Sequence, residues 1–425
     1  MPEPSAPVVY IIGQYPRAAQ TFIRQEIAAV EAAGVAVAPV AMNAPSESDL
    51  LTADAQHEHA RTFYVKAQSK LAIVRALAHA LRAKPSAFVA TMVTAFKPAK
   101  TDVRAMLWSA FYFVEAMIVW DHCIRIGARR LHSQFAYPGS NVASLVAEFG
   151  NRVDGAGTWA WLLTIHGAHD FYNEDDVALE RKAVSVEHII CISDFIRAQV
   201  LRQLAPALWP KVVVRRCGID LSVFEQRPER ELANPPLVLT VARLSAEKGH
   251  LVLVEAAAKL RDRGVALSIE IVGDGPLRGD IERSIASFGL VDIVRLVGEL
   301  PPQEVSKRLA QADVFCLPSF AEGVPISIME AMAVGVPVVA SGVGGVPELV
   351  EQGVTGGVVA PGRADLLADE LEAMLTDSAR RQRIVSAARE RVEQLHDLRT
   401  TVVALVPLVA GPDATGSDAV RPRAR

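Results

Sequence analysis

The chain has 425 residues, of which 51% are hydrophobic and 22% are charged, and its formal net charge at pH 7 is −4. A chain of this length is too long for one ordinary hydrophobic core and predicts two domains of about 200 residues each. The weakly negative charge excludes a general electrostatic attraction of the whole chain to nucleic acid or to an anionic membrane.

The first half of the chain begins with alternating strand and helix patterns. An apolar strand at 8–12 ends at Gly13, a helical pattern at 21–33 stops at Gly34, and a second strand occupies 35–40. This order is typical of a βαβ unit and predicts a parallel sheet. Further strands are predicted at 131–136, 161–165, 189–193 and 212–215. We assign residues 1–222 to an N-terminal domain.

A basic segment lies within this domain. Between 66 and 104, Asp102 is the single acid beside eight cations, which are Lys66, Lys70, Arg75, Arg82, Lys84, Lys97, Lys100 and Arg104. One helical face carries Leu71, Val74, Leu77, Ala78 and Leu81. Two interpretations are open: a basic amphipathic hairpin that rests on a membrane surface, or a solvated helix packed on its own domain, which is the commoner case. The apolar run at 105–120 is interrupted by Glu115 and is too short to span a bilayer.

The second half begins after a linker at 223–236, where three prolines and alternating charges interrupt any regular pattern. New strands are predicted at 237–241, 269–272, 294–297 and 314–317. We assign 237–395 to a C-terminal domain, in which 365–391 forms two amphipathic helices. The tail at 411–425 is rich in Gly, Pro, Asp and Arg and is predicted to be disordered.

Two cations flank the turn after the strand at 237–241. Arg243 and Lys248 lie five residues apart, before a helix that is predicted to start near Leu251. A guanidinium fork and an ammonium point charge both suit a diphosphate. The alternative is a loop with two ordinary surface cations.

The next turn contains Gly273 and Gly275 in the sequence G-D-G-P. It is similar to a dinucleotide-binding fingerprint, but the third glycine, Gly279, comes one residue late, and Pro276 opens the helix. This spacing excludes a dehydrogenase of that type.

The stretch at 318–348 concentrates the features of an anion site. The strand at 314–317 runs into Ser319, and a loop with Glu322 and Gly323 precedes a helix opened by Pro325. The first amides of that helix, on residues 326–328, have no acceptor within the helix and can bind an anion. Glu330 lies in an apolar run, where a carboxylate is costly unless a ligand hydroxyl or another group pairs with it. The alternative is a helix cap at Glu322 and an ordinary exposed glutamate at 330.

These glutamates, eight residues apart, precede GVPVVAS at 335–341 and GGVPE at 344–348. Together with the loop from Arg243 to Gly249, they resemble the donor site of family 4 glycosyltransferases, which are retaining, nucleotide-sugar-dependent enzymes of the GT-B fold. The resemblance covers roughly residues 7–395, and YPRAAQTFIRQEI at 15–27 is similar to the N-terminus of exopolysaccharide and colanic-acid-type members. It implies an α/β fold of two doubly wound, Rossmann-like domains that face a central cleft. A C-terminal helix at 396–410 would cross back to the N-terminal domain.

The resemblance also implies roles for individual residues. Glu322 would bind sugar hydroxyls and favour the positive charge that develops at the anomeric carbon, while Arg243 and Lys248 would stabilise the leaving diphosphate. His166, just past the strand at 161–165, would lie beside the donor sugar, although Gln134 stands where the family often has a second histidine. The donor-binding residues would be Gly13, Gly273, Gly275, Leu300, Ser319, Gly323, Val324, Pro325, Ile326, Ser327 and, on the ribose, Glu330.

No cofactor and no metal are expected beside the nucleotide-sugar co-substrate. The chain contains no Asp-x-Asp sequence, and two cations with a helix start supply the positive field that a metal would otherwise provide. The acidic run Glu174–Asp176 is better interpreted as the start of a helix.

The resemblance implies sugar transfer in polysaccharide or lipid-linked oligosaccharide biosynthesis, with a saccharide or lipid-linked saccharide as acceptor. Four cysteines without a C-x-x-C and an N-terminus without a signal peptide indicate a cytoplasmic protein, with peripheral contact at the inner membrane left open. The alternatives are transfer to a small-molecule or natural-product acceptor, and a non-catalytic protein that binds nucleotide-sugars. A sugar phosphorylase is disfavoured, because relatives of that kind have a pyridoxal-binding lysine region and a much longer chain.

Overall fold

The computed structural model describes residues 6–17, 20–97, 102–136, 138–167, 178–228 and 230–411. Lys100, the acidic run at 174–176 and the tail at 412–425 lie outside these residues, so the predictions made for them are not taken further. The chain divides into two compact units. The first comprises residues 1–192, 197–215 and 402–425, and the second comprises 193–196 and 216–401.

The first unit is built on a parallel sheet of seven strands in the order β3-β2-β1-β4-β5-β6-β7. The strands on either side of β4 are almost continuously apolar, because helices cover both faces of such a sheet, whereas β4 carries the buried polar residues His132, Ser133 and Gln134. The strands predicted in this half are confirmed within three residues at each end, and the two-residue edge strand β3 was not predicted. The strands are β1 (Val8–Gln14), β2 (Val37–Asn43), β3 (Phe63–Tyr64), β4 (Arg130–Gln134), β5 (Ala160–Ile165), β6 (His188–Cys191) and β7 (Val212–Val214).

The helices of the first half are α1 (Thr21–Ala32), α2 (Ala53–Arg61), α3 (Lys70–Ala83), α4 (Pro85–Phe96), α5 (Val103–Ile126), α6 (Gly139–Asp154), α7 (Leu179–Ser185) and α8 (Asp194–Arg202). In α1 the buried residues Ile23, Ile27 and Val30 keep the predicted helical period.

Helix α5 extends beyond the predicted apolar run at both ends. The Asp102 side chain accepts hydrogen bonds from the amides of Arg104 and Ala105 at its start, and Gly127, with φ of 72°, ends it. Its 24 residues make it the one helix among the described residues with the length and composition of a membrane span, which corrects the prediction that this region is too short. However, half of its most apolar 18-residue stretch is buried within the protein.

The second unit is built on a parallel sheet of six strands in the order β10-β9-β8-β11-β12-β13. The strands are β8 (Leu237–Val241), β9 (Ser268–Val272), β10 (Val294–Gly298), β11 (Val314–Leu317), β12 (Val338–Ser341) and β13 (Gly357–Val359). The helices are α9 (His250–Asp262), α10 (Arg278–Ser287), α11 (Pro302–Gln311), α12 (Ile326–Val334), α13 (Val346–Leu349), α14 (Ala364–Thr376) and α15 (Ser378–His396).

Helix α16 (Leu398–Ala410) comes directly after α15. Its residues from Val402 onward belong to the first unit, where Val402, Leu405 and Val409 are buried with the core around β1. Arg130 Nε, at the start of β4, donates to the carbonyl oxygen of Val409 at 2.7 Å. These contacts join the end of the helix to the first unit.

In each sheet the chain reverses its direction of winding at one place. From β8 it proceeds outward through β9 and β10 and then returns to β11 on the other side of β8, and β1 and β4 are related in the same way. Parallel α/β sheets bind ligands outside the carboxyl ends of the strands at such a point. The candidate residues after β8 and β11 therefore lie where this fold places a ligand site.

Candidate active site

The loop after β8 presents Arg243 to solvent. Its backbone is fixed by hydrogen bonds from the Ala242 amide to Val272 O and from the Leu244 amide to Asp274 O, both at 3.0 Å. The His250 imidazole lies 3.0 Å from the Arg243 carbonyl oxygen. The Arg243 side chain is exposed and makes no hydrogen bond or ion pair with any residue that the structure describes. A rigid backbone with an unpaired guanidinium leaves this cation free for a ligand.

Gly249 brings the β8 loop against the β11 loop. Its φ is +66°, and a Cβ at this position would lie 2.0 Å from the carbonyl oxygen of Pro318. The Phe320 amide donates to Glu247 O at 2.7 Å and ties the same two loops together. Only glycine allows this approach, so Gly249 is required for the position of the neighbouring Lys248.

Lys248, Ser319 and Glu322 form one cluster. Lys248 Nζ lies 2.8 Å from Glu322 Oε1, and Ser319 Oγ donates to the same oxygen at 2.7 Å. The Glu322 side chain is 6% exposed and the Lys248 side chain 22%. The sequence predicted both charged residues but assigned them to different parts of a donor. The structure shows that they are an ion pair, which sequence reasoning missed because 74 residues separate them.

The motif at 344–348 supports Glu322 from behind. A Cβ on Gly344 would lie 1.9 Å from Glu322 O, and one on Gly345 would lie 2.0 Å from Gly323 O. The Gly345 amide donates to Gly323 O at 2.9 Å. The two glycines thus hold the Glu322–Gly323 backbone by close packing, which explains why these two motifs occur together.

Gly273 and Gly275 pack against the Arg243 loop. Cβ atoms at these positions would lie 2.0 Å from Ala242 O and 2.5 Å from Leu244 O, respectively. In the structure the backbone of residues 242–244 occupies the space that a side chain at these positions would take. The absence of a side chain therefore serves this backbone contact, and the closeness of the two glycines to a ligand remains a prediction. Leu300, half-buried, comes after β10 on the far side of β9.

Helix α12 begins beside the cluster, with Pro325 as the residue before its first turn. Val324 is buried, and Ile326 and Ser327 are half-buried at the start of the helix. One detail of the predicted anion site differs. The Ile328 amide donates to Pro325 O at 3.2 Å, so of the three amides expected to be free, those of Ile326 and Ser327 are the better candidates for binding an anion.

Glu330 lies one turn further into α12. It is half-buried, and its carboxyl makes no hydrogen bond or ion pair with any described residue. Burial raises the pKa of the Glu330 carboxyl to about 8. A carboxyl without a protein partner costs free energy in the unliganded protein, as the sequence pattern indicated, and a ligand hydroxyl could satisfy it.

His166 and Gly13 lie in the first unit. His166 Nε2 is 2.5 Å from Gln134 Oε1, and Gln134 Nε2 donates to Glu26 Oε1 at 3.0 Å. Since the amide oxygen can only accept, Nε2 of His166 carries the proton. Burial lowers the pKa of His166 to about 3 and raises the pKa of Glu26 to about 7. A Cβ at Gly13 would make an ordinary van der Waals contact with Pro138 Cδ at 3.8 Å.

Sequence reasoning missed Gln134 as the partner of His166 and Glu26 as the partner of Gln134. The sequence carries one signal for Glu26, because it lies on the same face of α1 as the buried Ile23, Ile27 and Val30. An acid on the apolar face of a helix needs a polar partner within the core. Of the predicted site residues, the structure brings Lys248, Ser319 and Glu322 together in the second unit, whereas His166 and Gly13 belong to the first unit.

A cavity of about 840 Å³ in the second unit lies apart from these residues. Its wall includes Asp313, directly before β11, and Arg230, which pairs with Asp313 at 2.7 Å. Arg381, also in the wall, donates to the carbonyl oxygens at the end of α14. The cavity is therefore at the amino ends of the strands, and Arg230, Asp313 and Arg381 are used within the protein. Among the described residues, no group of three or more His, Cys, Asp or Glu could hold a metal ion.

A family model matches the second unit in particular. Residues 223–391 match the family model described as glycosyl transferases group 1. The amylovoran biosynthesis glycosyltransferase AmsK of Erwinia amylovora is 39% identical over 189 residues, which is 43% of this chain and 46% of AmsK. The alpha-D-kanosaminyltransferase of Streptomyces kanamyceticus is 39% identical over 164 residues, 39% of this chain and 42% of that protein. This chain thus spans about half the length of the first curated relatives it matches.

One further match is too long to lie within the second unit alone. The GDP-mannose-dependent alpha-(1-6)-phosphatidylinositol monomannoside mannosyltransferase of Mycobacterium tuberculosis (strain ATCC 25618 / H37Rv) is 30% identical over 275 residues, 61% of this chain and 71% of that protein.

Solved structures share the whole architecture. Sucrose-phosphate synthase from Thermosynechococcus elongatus matches with a TM-score of 0.71 at 21% identity, covering 95% of this chain and 98% of that one. Anabaena HepE in complex with UDP matches with a TM-score of 0.71 at 17% identity, covering 95% and 99%. At these identities the likeness shows the fold alone, and it confirms the predicted GT-B architecture of two doubly wound α/β sheets.

Proposed function

This chain belongs to the glycosyl transferases group 1 family, and from that membership we propose that it transfers a sugar from a nucleotide-diphosphate sugar to a hydroxyl acceptor with retention of configuration. The observation that carries the proposal is the cluster of Lys248, Ser319 and Glu322 at the carboxyl ends of β8 and β11, with the unpaired Arg243 on the adjoining loop. Cations at this edge of the sheet suit a diphosphate, and a buried carboxylate beside them suits a sugar.

The diphosphate gains negative charge as the bond to the sugar breaks. Arg243 can bind two of its oxygens as a fork, and the amides of Ile326 and Ser327 add the positive end of a helix dipole. An ammonium has three N–H donors, so Lys248 can keep its contact with Glu322 and still donate to a phosphate oxygen. Fixed charges of this kind stabilise the leaving group without reorganisation.

Glu322 is held in one orientation by its two partners. Its second oxygen, Oε2, is then available to accept from sugar hydroxyls, and its charge favours the positive charge that develops at the anomeric carbon. The acceptor attacks from the face that the diphosphate leaves, and a phosphate oxygen takes its proton. Glu330 accepts from ribose hydroxyls, which removes the cost of its unpaired carboxyl. His166, kept neutral by burial and oriented by Gln134, would contact the donor sugar.

Transfer needs no metal under this proposal, because Arg243, Lys248 and the start of α12 supply the positive charge. The acceptor would be a saccharide or lipid-linked saccharide in polysaccharide or glycoconjugate biosynthesis, at the cytoplasmic side of the membrane, and the relation to AmsK supports this choice. The relation to alpha-D-kanosaminyltransferase supports a second candidate, transfer to a small natural-product acceptor.

The proposal is tested by incubating the chain with a panel of nucleotide-sugars, with and without EDTA, and measuring the release of nucleotide diphosphate. Slow hydrolysis of one donor, unchanged by EDTA and lost in Glu322→Gln, is expected. A protein that binds nucleotides without any hydrolysis or transfer would be a binding protein, and complete loss of activity in EDTA would contradict the metal-free mechanism.

A further inference from the structure

Helices α3 and α4 and the start of α5 (103–111) bury small side chains and expose large apolar ones. The buried residues of α3 are Ala76 and Ala80, and those of α4 are Ala87, Thr91 and Ala95. Twelve of the 22 exposed large apolar side chains in the described part of the chain lie between 71 and 111. A helix that simply covers a soluble core has the opposite arrangement. These helices are packed on their own unit, as one of the two interpretations expected, but through small side chains, which leaves the large apolar ones exposed.

The exposed apolar residues of α4 and α5 share one end of a helical pair. Phe88 of α4 packs against Phe113 of α5 with 5.0 Å between ring centroids. Beyond this contact α4 continues to Phe96 and α5 begins at Val103, about 12 and 15 Å of helix. Since only six residues link the two ends, they lie on the same side of the contact. We call this end the apolar tip; its exposed members are Val89, Met92, Val93, Phe96, Val103, Met106, Leu107, Trp108 and Phe111.

Two unpaired cations flank the apolar tip. The one acid of the segment, Asp102, is used as the cap of α5. Lys97, directly after α4, and Arg104, in the first turn of α5, are exposed and make no ion pair with any described residue. Cations beside apolar and aromatic side chains form the pattern of a surface that enters the headgroup region of an anionic bilayer.

The other half of α5 fixes how deep such a contact can be. Met117, Val119 and Trp120 are at most 1% exposed in the core of the first unit. This half cannot leave the core for a bilayer without unfolding the unit. Only the apolar tip is available, so the helix can dip into the interface but not cross it.

We propose that the apolar tip, with Lys97 and Arg104, docks this protein on an anionic phospholipid surface, with Trp108 and its apolar neighbours inserted among the headgroups. The proposal goes beyond sugar transfer, because it concerns a surface of the first unit and does not depend on the donor site. A second copy of the chain is a poorer occupant, since a self-complementary contact would bring like charges together.

The test is flotation of the full chain with vesicles of phosphatidylglycerol mixed with phosphatidylcholine. The wild-type protein should float with them, remain unbound with phosphatidylcholine alone, and be released by high salt. Lys97→Gln and Arg104→Gln should each lower the partition coefficient about fivefold, since one cation near such a surface contributes about 1 kcal/mol.

Matched variants identify the surface. Leu107→Glu combined with Phe111→Glu should lower binding about tenfold or more. Leu51→Glu is the control, since Leu51 is 81% exposed in the same unit and lies outside the apolar tip. Unchanged melting temperatures in these variants exclude unfolding as the cause.

Tryptophan emission provides a second readout. The emission should shift to the blue on binding anionic vesicles, and Trp108→Phe should remove the shift. Trp209→Phe should retain it, because Trp209 is as exposed as Trp108 but bonds to Leu201 O and Leu204 O elsewhere in the unit.

Three results would overturn the proposal. They are the absence of wild-type flotation at low salt, equal flotation of the Leu107/Phe111 double variant, and a dimer in solution that this double variant dissociates, which would make the surface a contact between copies.

Discussion

Replacing Glu330 with glutamine should make the unliganded protein more stable while it weakens nucleotide binding. Burial raises the pKa of this carboxyl in the folded protein to about 8, against an ordinary value of 4.5. Between these two pH values the folded state binds the proton more tightly than the unfolded state does. The free energy of unfolding therefore falls as pH rises from about 4.5 to about 8, and the fall is complete above the folded pKa.

The size of this effect can be worked out from the same pKa. A difference from 4.5 to about 8 corresponds to an upper bound of about 5 kcal/mol. Because Glu330 is only partly enclosed, solvent screening reduces the bound, and we expect about 1–3 kcal/mol at pH 8 and almost none at pH 5. For a unit of this size, 1 kcal/mol corresponds to about 2–4 °C in melting temperature.

The assay is calorimetry of wild-type protein and Glu330→Gln at pH 5 and pH 8. Intrinsic fluorescence is unsuitable, because all five tryptophans lie between 108 and 209, in the first unit. Glu255→Gln is a matched control, since Glu255 is an exposed residue of α9 that pairs with Lys259 at 3.4 Å. Glu330→Gln should also bind its nucleotide at least about tenfold more weakly than the wild-type protein does. A stability difference that does not grow with pH, or unchanged nucleotide affinity, would refute the reasoning.

Other substitutions test the rest of the site. Glu322→Gln should lower kcat and leave nucleotide affinity near normal, since the contact of Glu322 with the sugar strengthens in the transition state. A parallel loss of nucleotide affinity would show that Glu322 contacts the nucleotide instead. Arg243→Ala and Lys248→Ala should each lower kcat/KM, by a factor that corresponds to a loss of about 2–4 kcal/mol of transition-state stabilisation. Only Lys248→Ala should also lower the unliganded melting temperature, because it leaves a buried carboxylate with one partner fewer; equal melting temperatures would contradict this. Gly249→Ala should destabilise far more than Gly264→Ala, because both have positive φ but only the former places a Cβ 2.0 Å from a carbonyl oxygen, and similar melting temperatures would refute the steric argument.

Most of the second unit could be predicted from the sequence. Its strands are short apolar runs that end at turns rich in glycine, and parallel strands place the loops at their carboxyl ends along one edge of the sheet. This is why Arg243, Lys248, Glu322 and Glu330 could be selected in advance. The Lys248–Glu322 ion pair could not, because it depends on β11 returning beside β8, and local patterns do not specify that order.

The first unit was less predictable, for two reasons. Two-residue β3 is too short for any periodicity, and the helices at 70–111 contradict the rule that large apolar residues face inward. In α3 the predicted leucine face includes Leu71 and Leu81, which are exposed, whereas Ala76 and Ala80 are buried. The hydrophobic period identifies the apolar face of a helix, but it does not indicate whether that face is covered by the protein core or by something outside the protein, such as a lipid surface.

The measurement that tests the central claim most directly is the melting temperature of the second unit in the presence of UDP, GDP, ADP and dTDP, compared between wild-type protein and Arg243→Ala. One nucleotide should raise the wild-type melting temperature, since ligand at a hundred times its Kd adds about 2.7 kcal/mol. The same nucleotide should raise the melting temperature of Arg243→Ala much less, while the unliganded values of the two proteins should agree. If none of the four nucleotides stabilises the wild-type protein, or if Arg243→Ala responds as the wild type does, the donor site is not at the carboxyl ends of β8 and β11.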